Sequence, residues 1–136
     1  MLPLRHARLW RVLSILIVVS VLLATLAPLH LLFDDDGGSL SWLPFADKWM
    51  HAATFAFLML WFSGLFQKHR YGRIAAALLL FGVLVELCQL QVSYRTAEWN
   101  DMLANTAGII VGLAVAVAGL GGWGLRIEDW YTNRHQ

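Results

Sequence analysis

The sequence predicts an all-α fold, an integral membrane bundle of four transmembrane helices with both termini in the cytoplasm. Three observations lead to this prediction. Of the 136 residues, 59% are hydrophobic and only 14% are charged, which is too apolar for an ordinary soluble domain. The apolar residues fall into four segments, each near the length of about 20 residues that a membrane-spanning helix requires. Lysine and arginine are concentrated in alternate connecting segments, as in many multi-pass proteins.

The four predicted spans lie in one domain that covers residues 1–136. Their approximate limits are 12–33, 48–66, 73–91 and 102–122. The first and last spans contain no formally charged residue, whereas Glu86 interrupts the third. Glycines at 121, 122 and 124 predict the end of the fourth helix.

The first span resembles the start of a secretory signal peptide, because three arginines precede it at positions 5, 8 and 11. However, its apolar run continues past the candidate cleavage region at Ala27, and Pro28 would follow the cut directly. The sequence therefore predicts an uncleaved membrane anchor.

Orientation follows from the positive charges, which favour the cytoplasmic side of a membrane. Eight of the ten lysines and arginines lie in the N-terminal segment, in the second loop and in the tail; they are Arg5, Arg8, Arg11, Lys68, Arg70, Arg73, Arg126 and Arg134. These segments are predicted to be cytoplasmic. The loop that contains Asp34, Asp35 and Asp36 and the loop 92–100 are then outside.

Some functions are disfavoured by composition. A formal net charge of +1 provides no positively charged surface for nucleic acid, and the sequence contains no cofactor-binding motif. Cys88 is the single cysteine, so no disulfide within the chain is predicted.

Polar side chains occur near the predicted outer end of three spans. They are Asp47 and His51 in the second span, Glu86 and Gln89 in the third, and Asp101 and Asn105 in the fourth. Helical spacing places the two members of each pair on one helix face. At about 1.5 Å per residue, His51, Glu86 and Asn105 lie at one depth, roughly 6–8 Å below the outer surface. Three helices thus bring polar groups to the same level.

Glu86 is the most informative of these residues, because a carboxylate inside a span costs about 2.5–3.5 kcal/mol and usually faces a partner or a cavity. Its candidate partners are Arg95, Lys48 and His51. A role in a functional site and a structural ion pair with Arg95 are both open at this point.

The other polar residues also have two interpretations. Asp47 could orient the His51 ring for acid/base chemistry or metal binding, although this spacing is common by chance. Asp101 could belong to the site or cap the N-terminus of the fourth helix. Asn105 and Gln89 suit hydrogen bonds between helices. Small residues at 104, 108, 112 and 116 predict close helix packing within the bundle.

These residues together resemble the VanZ-like family of bacterial membrane proteins. The resemblance covers roughly residues 47–112 and is carried by Asp47-Lys48-x-x-His51, Glu86-x-x-Gln89, Arg95, Asp101, Asn105, Gly108 and Gly112 in order. It implies a multi-pass protein of the bacterial cytoplasmic membrane with a role in the cell envelope. The family is named for a protein associated with resistance to the glycopeptide teicoplanin. The resemblance does not supply a reaction.

The main functional hypothesis is an outward-facing pocket that binds, and could modify, the head group of a membrane lipid or lipid-linked envelope precursor. The candidate acid/base residues are Glu86, His51, Asp47 and Asp101. The candidate ligand-binding residues are Arg95, Lys48, Gln89 and Asn105. Of these, Arg95 and Lys48 are suited to bind a phosphate or carboxylate. A metal-assisted variant, a non-catalytic assembly protein with structural ion pairs, and a small transporter are the alternatives.

Overall fold

The computed structural model describes residues 1–26, 46–91 and 99–134, and within them all regular structure is helical. The helices are α1 (Ala7–Leu26), α2 (Ala46–Leu65), α3 (Tyr71–Gln89), α4 (Trp99–Val115) and α5 (Trp123–Arg134). A short 3-10 helix, Lys68–Arg70, leads into α3, and a π-helical segment, Ala116–Leu120, follows α4. The predicted all-α fold is confirmed.

Three of the described helical stretches are long and apolar enough to cross a membrane. They are Ala7–Leu26, Lys68–Gln89 and the stretch that begins at Trp99 and continues to Arg134. The last has 36 residues, whereas a span needs about 20. Residues 99–120 are therefore long enough for one span, and the predicted fourth span, 102–122, ends before α5. Helix α2 does not belong to this apolar group, since Lys48 and His51 lie in its first two turns. The four-span arrangement and the cytoplasmic termini stay predictions.

Helix α2 lies at the centre of the bundle and packs mainly against α4. Its Phe55, Leu58 and Met59 are fully buried and form the core with Leu78 of α3 and Ile109 of α4. Helix α1 contributes no buried residue and lies at the edge of the described bundle. The polar ends of α2 and α4 are thereby brought next to each other.

Glycine determines how closely α4 approaches α2. A side chain at Gly108 would collide with the backbone of Ala52, and one at Gly112 would lie 2.7 Å from the carbonyl oxygen of Ala56. Both glycines are buried. The sequence prediction that these small residues serve packing inside the bundle is confirmed.

The helical stretch that starts with α4 ends at Leu120, before the glycines, as predicted, but it is not the last helix of the chain. Gly119 and Gly122 adopt positive φ angles of 142° and 73°, which favour glycine. They redirect the chain, which becomes helical again as α5. Trp123, the first residue of α5, donates from Nε1 to the carbonyl of Leu60 at 3.0 Å and covers Gly64 of α2. The glycines therefore both end the fourth helix and form the turn that leads into α5.

The start of the chain is bound to α5 through Glu128. Its Oε2 accepts a hydrogen bond from the Arg5 backbone nitrogen at 2.7 Å. Its Oε1 accepts bonds from the His6 backbone nitrogen at 3.0 Å and from Trp10 Nε1 at 2.8 Å. Burial raises the pKa of Glu128, but these bonds and the nearby His6 ring outweigh it and hold the pKa below its ordinary value. We call this arrangement the Glu128 latch.

A tryptophan cluster lies beside the latch. The rings of Trp10, Trp61 and Trp123 come from α1, α2 and α5, and their centroids are 5.2–5.9 Å apart. These distances are within the favourable range for aromatic pairs. The end of the bundle that the sequence predicts to be cytoplasmic is therefore stabilised by aromatic packing and by Glu128, whose two carboxylate oxygens both accept hydrogen bonds.

Candidate functional site

Five polar side chains are buried together at the other end of the bundle, and we call them the polar cluster. They are His51 of α2, Glu86 and Gln89 of α3, and Asp101 and Asn105 of α4, each only 2–7% exposed. Each comes from a helix face that the sequence predicts to be polar at this level. Buried polar groups require partners, so the contacts of each residue indicate whether it is structural.

His51 and Asn105 form a hydrogen bond between α2 and α4. The distance from His51 Nδ1 to Asn105 Oδ1 is 3.1 Å. Because an amide oxygen can only accept, His51 donates from Nδ1, and in the neutral ring Nε2 is left as an acceptor. The interhelical hydrogen bond predicted for Asn105 is thus present. The same bond fixes the orientation of the imidazole ring.

Lys48 and Asp101 form a second link between the same two helices. Lys48 Nζ lies 3.7 Å from Asp101 Oδ1. Asp101 lies inside the first turn of α4, which begins at Trp99, and is therefore not the residue that caps the helix. Its negative charge is still favoured there by the helix dipole. The capping interpretation of Asp101 is wrong, and its described contact is an ion pair.

Helix α3 presents Gly82, Glu86 and Gln89 on a buried face, as the sequence predicts. Gln89 Nε2 donates to the carbonyl oxygen of Thr25 at 2.9 Å and so connects α3 to α1. The interhelical hydrogen bond predicted for Gln89 is thus present, although sequence spacing does not indicate that α1 supplies the acceptor.

Two residues of the predicted site lie outside what the structure describes. They are Arg95 and the side chain of Asp47. The Asp47–His51 pair and the Glu86–Arg95 pair therefore stay predictions. Within residues 1–26, 46–91 and 99–134, no group of three or more histidine, cysteine or acidic side chains is placed to hold a metal ion.

A groove reaches the polar cluster between α3 and α4. It has a volume of about 300 Å³, and its lining residues are Leu79, Leu80, Gly82, Val83, Met102, Asn105 and Thr106. Asn105 belongs to this lining, and its Nδ2 is buried and has no hydrogen-bond partner among the described residues. Gly82 is beside it, since a side chain there would lie 3.3 Å from Nδ2. Sequence reasoning did not identify this groove, whose walls come from two helices.

Fold and site together define a class: a small all-α protein with helices able to cross a membrane and a buried polar cluster among them. The VanZ/LLP1 family model matches residues 12–120, most of the chain, and the protein belongs to this family. The family resemblance seen in the sequence is thereby confirmed over a longer region. Searches of curated proteins and of solved structures found no match.

Proposed function

We propose that the polar cluster binds the head group of a membrane lipid or of a lipid-linked cell-envelope precursor. The observation that supports this most directly is the amide nitrogen of Asn105. It is a buried donor on a residue that lines a groove, and it has no acceptor among the described residues. An unsatisfied buried donor costs about 1–3 kcal/mol. A phosphate, carboxylate or carbonyl oxygen of a ligand would remove that cost.

The groove favours a ligand with an apolar tail. Its walls are mostly aliphatic, and Leu79 and Leu80 at its border are exposed on the outside of the bundle. In a membrane, such residues face lipid chains. A lipid could therefore place its chain along the groove between α3 and α4 and its head group next to Asn105.

The remaining residues of the site supply charge and acid/base groups. Lys48, and Arg95 by prediction, would neutralise an anionic head group. His51, with Nδ1 bound to Asn105, retains Nε2 for a proton transfer, and Glu86 is the nearby carboxylate in the sequence-based hypothesis. Binding is the activity we propose, and modification of the head group would use these two residues.

Family membership and apolar helices fit a membrane protein. We further propose the bacterial cytoplasmic membrane as its location, with four spans, inside termini and the polar cluster in the outer leaflet. That location would give the site access to lipid-linked envelope precursors and would account for a contribution to teicoplanin resistance.

The experiment separates the two functions of the Asn105 side chain. Asn105→Asp keeps an oxygen for His51 Nδ1 but removes the amide donor. The matched control is Asn100→Asp, the same change at an exposed position of α4. A second variant, Gly82→Ala, narrows the groove beside Nδ2 without adding charge. Survival under teicoplanin is measured in cells, and thermal unfolding is measured in detergent.

We expect Gly82→Ala to lose survival at a nearly unchanged unfolding temperature. Asn105→Asp also buries a charge, so we expect it to lose more survival than its loss of folded protein explains, while Asn100→Asp resembles the wild type. If survival falls only together with folded protein, the site proposal is wrong. The second candidate, an assembly protein with structural polar contacts, is then preferred. It has its own support in the contacts of Asn105 with His51, Asp101 with Lys48 and Gln89 with Thr25, all of which join helices.

A further inference from the structure

A second groove lies on another face of α3, between α1, α3 and the end of α2. It has a volume of about 390 Å³, and its lining includes Val18 of α1, Phe62 of α2 and Phe66, which directly follows α2. Its remaining lining comes from α3 and the short helix before it, with Arg70 and Arg73 at one end and Phe81 at the other. It shares no residue with the groove that reaches Asn105.

The groove is apolar along its length and positively charged at one end. All lining residues other than the two arginines are hydrophobic, and none is acidic. Both arginines are exposed, and neither side chain forms a hydrogen bond or salt bridge within the described parts of the chain. Helix α3 also begins there without a side-chain cap, and a helix start attracts anions. The charged end is therefore complementary to an anion.

The length of the groove fits one leaflet. From Arg73 to Phe81 the α3 backbone rises about 12 Å, at roughly 1.5 Å per residue. The hydrocarbon core of a bilayer is about 30 Å thick, so the groove extends through slightly less than half of it. In the predicted orientation, the two guanidinium groups then lie at the level of lipid phosphates, and Phe81 lies at the level of the acyl chains.

We propose that this groove binds one acyl chain of an anionic phospholipid, whose phosphate is held by Arg70 and Arg73. Arginine is suited to this role because its planar guanidinium can bind phosphate through two hydrogen bonds. Anionic lipid is favoured over zwitterionic lipid because the charges of the arginines are not neutralised by neighbouring carboxylates in the described structure. This site is independent of the function proposed for the polar cluster.

The test measures lipid binding by the purified full-length chain in detergent micelles. Phosphatidylglycerol is titrated against phosphatidylcholine with the same acyl chains, and bound lipid is counted by native mass spectrometry. The charge variant is Arg70→Gln with Arg73→Gln. Its matched control is Arg8→Gln with Arg134→Gln, which removes two exposed arginines that do not line the groove.

The apolar part of the groove has its own pair of variants. Ala77→Phe fills the groove, whereas Ala76→Phe adds the same ring at the neighbouring position, which does not line it. Both alanines are exposed, so neither change overpacks the core.

We expect one saturable site that prefers phosphatidylglycerol. The double change at Arg70 and Arg73 should weaken its binding about 25-fold, which is ~2 kcal/mol at 1.4 kcal/mol per tenfold. Ala77→Phe should abolish the site, while both controls keep it. Equal affinity for the two lipids, an equal loss in the arginine control, or an equal loss with Ala76→Phe would each overturn the proposal.

Discussion

The Glu128 latch provides the sharpest prediction about stability. Glu128→Gln preserves the size of the side chain but replaces one carboxylate oxygen by an amide group. If the remaining oxygen occupies the Oε1 position, it still accepts from His6 and Trp10. The amide group then faces the Arg5 backbone N–H, a donor opposite a donor.

The expected cost follows from these contacts. One hydrogen bond to a charged acceptor is lost, at about 1.5–3 kcal/mol, and two others weaken to neutral bonds. We therefore expect the free energy of unfolding to fall by about 2–4 kcal/mol. This fall is measured by thermal unfolding in detergent, with tryptophan fluorescence as the probe, because Trp10 belongs to the latch. Asp129→Asn is the matched control, since Asp129 is exposed and should change stability by less than about 0.5 kcal/mol.

The latch also predicts a dependence on pH. The pKa of Glu128 in the folded protein is lowered from an ordinary value of 4.5. Its contribution to stability is then complete above about pH 4.5 and is lost as the pH falls through the folded-state pKa. Glu128→Gln should lack this part of the acid-side decrease. Equal unfolding temperatures for Glu128→Gln and Asp129→Asn, or an unchanged acid-side decrease in Glu128→Gln, would refute the reasoning.

Two further predictions concern the contact between α2 and α4. Gly108→Ala should destabilise the protein by roughly 1–3 kcal/mol in thermal unfolding, because its methyl group would overlap the backbone of Ala52. Gly72→Ala, at a helical position with open space around it, should instead stabilise the protein by about 0.5–1 kcal/mol. If both substitutions changed the free energy of unfolding in the same direction, this account of the packing would be contradicted. For the ion pair, a double-mutant cycle with Lys48→Met and Asp101→Asn should show a coupling of about 0.5–3 kcal/mol. Additive effects would show that the two residues do not interact.

Local sequence patterns were sufficient for most of the helices and for the faces that carry the polar cluster. Helical periodicity places Gly82, Glu86 and Gln89 on one face, and the structure buries that face. An amide four residues into a polar stripe predicts a bond between helices, and Asn105 forms one. These features depend on spacing within a single helix, which the sequence contains directly.

Features that depend on distant parts of the chain were not predictable in the same way. Glu128 contacts residues 118–123 positions away, and nothing near it in sequence indicates those partners. Likewise, the glycines before Trp123 predict the helix end that the structure shows, but not the helix that follows it. The position of α5 depends on Trp123, which packs over Gly64 and donates to Leu60, a contact with no local sequence signal.

The two ends of the bundle use buried polar groups differently, and this difference is the main reason to look for a ligand at one of them. At the Glu128 latch, each carboxylate oxygen accepts at least one hydrogen bond from the start of the chain. At the polar cluster, Asn105 uses its oxygen to join α2 and α4 but leaves Nδ2 without an acceptor among the described residues. If Asn105 were only structural, a side chain without this unbonded donor would make the protein more stable. Buried polar groups that lack a partner are expected where function requires them. Asn105→Asp tests the consequence, since it removes the donor and keeps the acceptor.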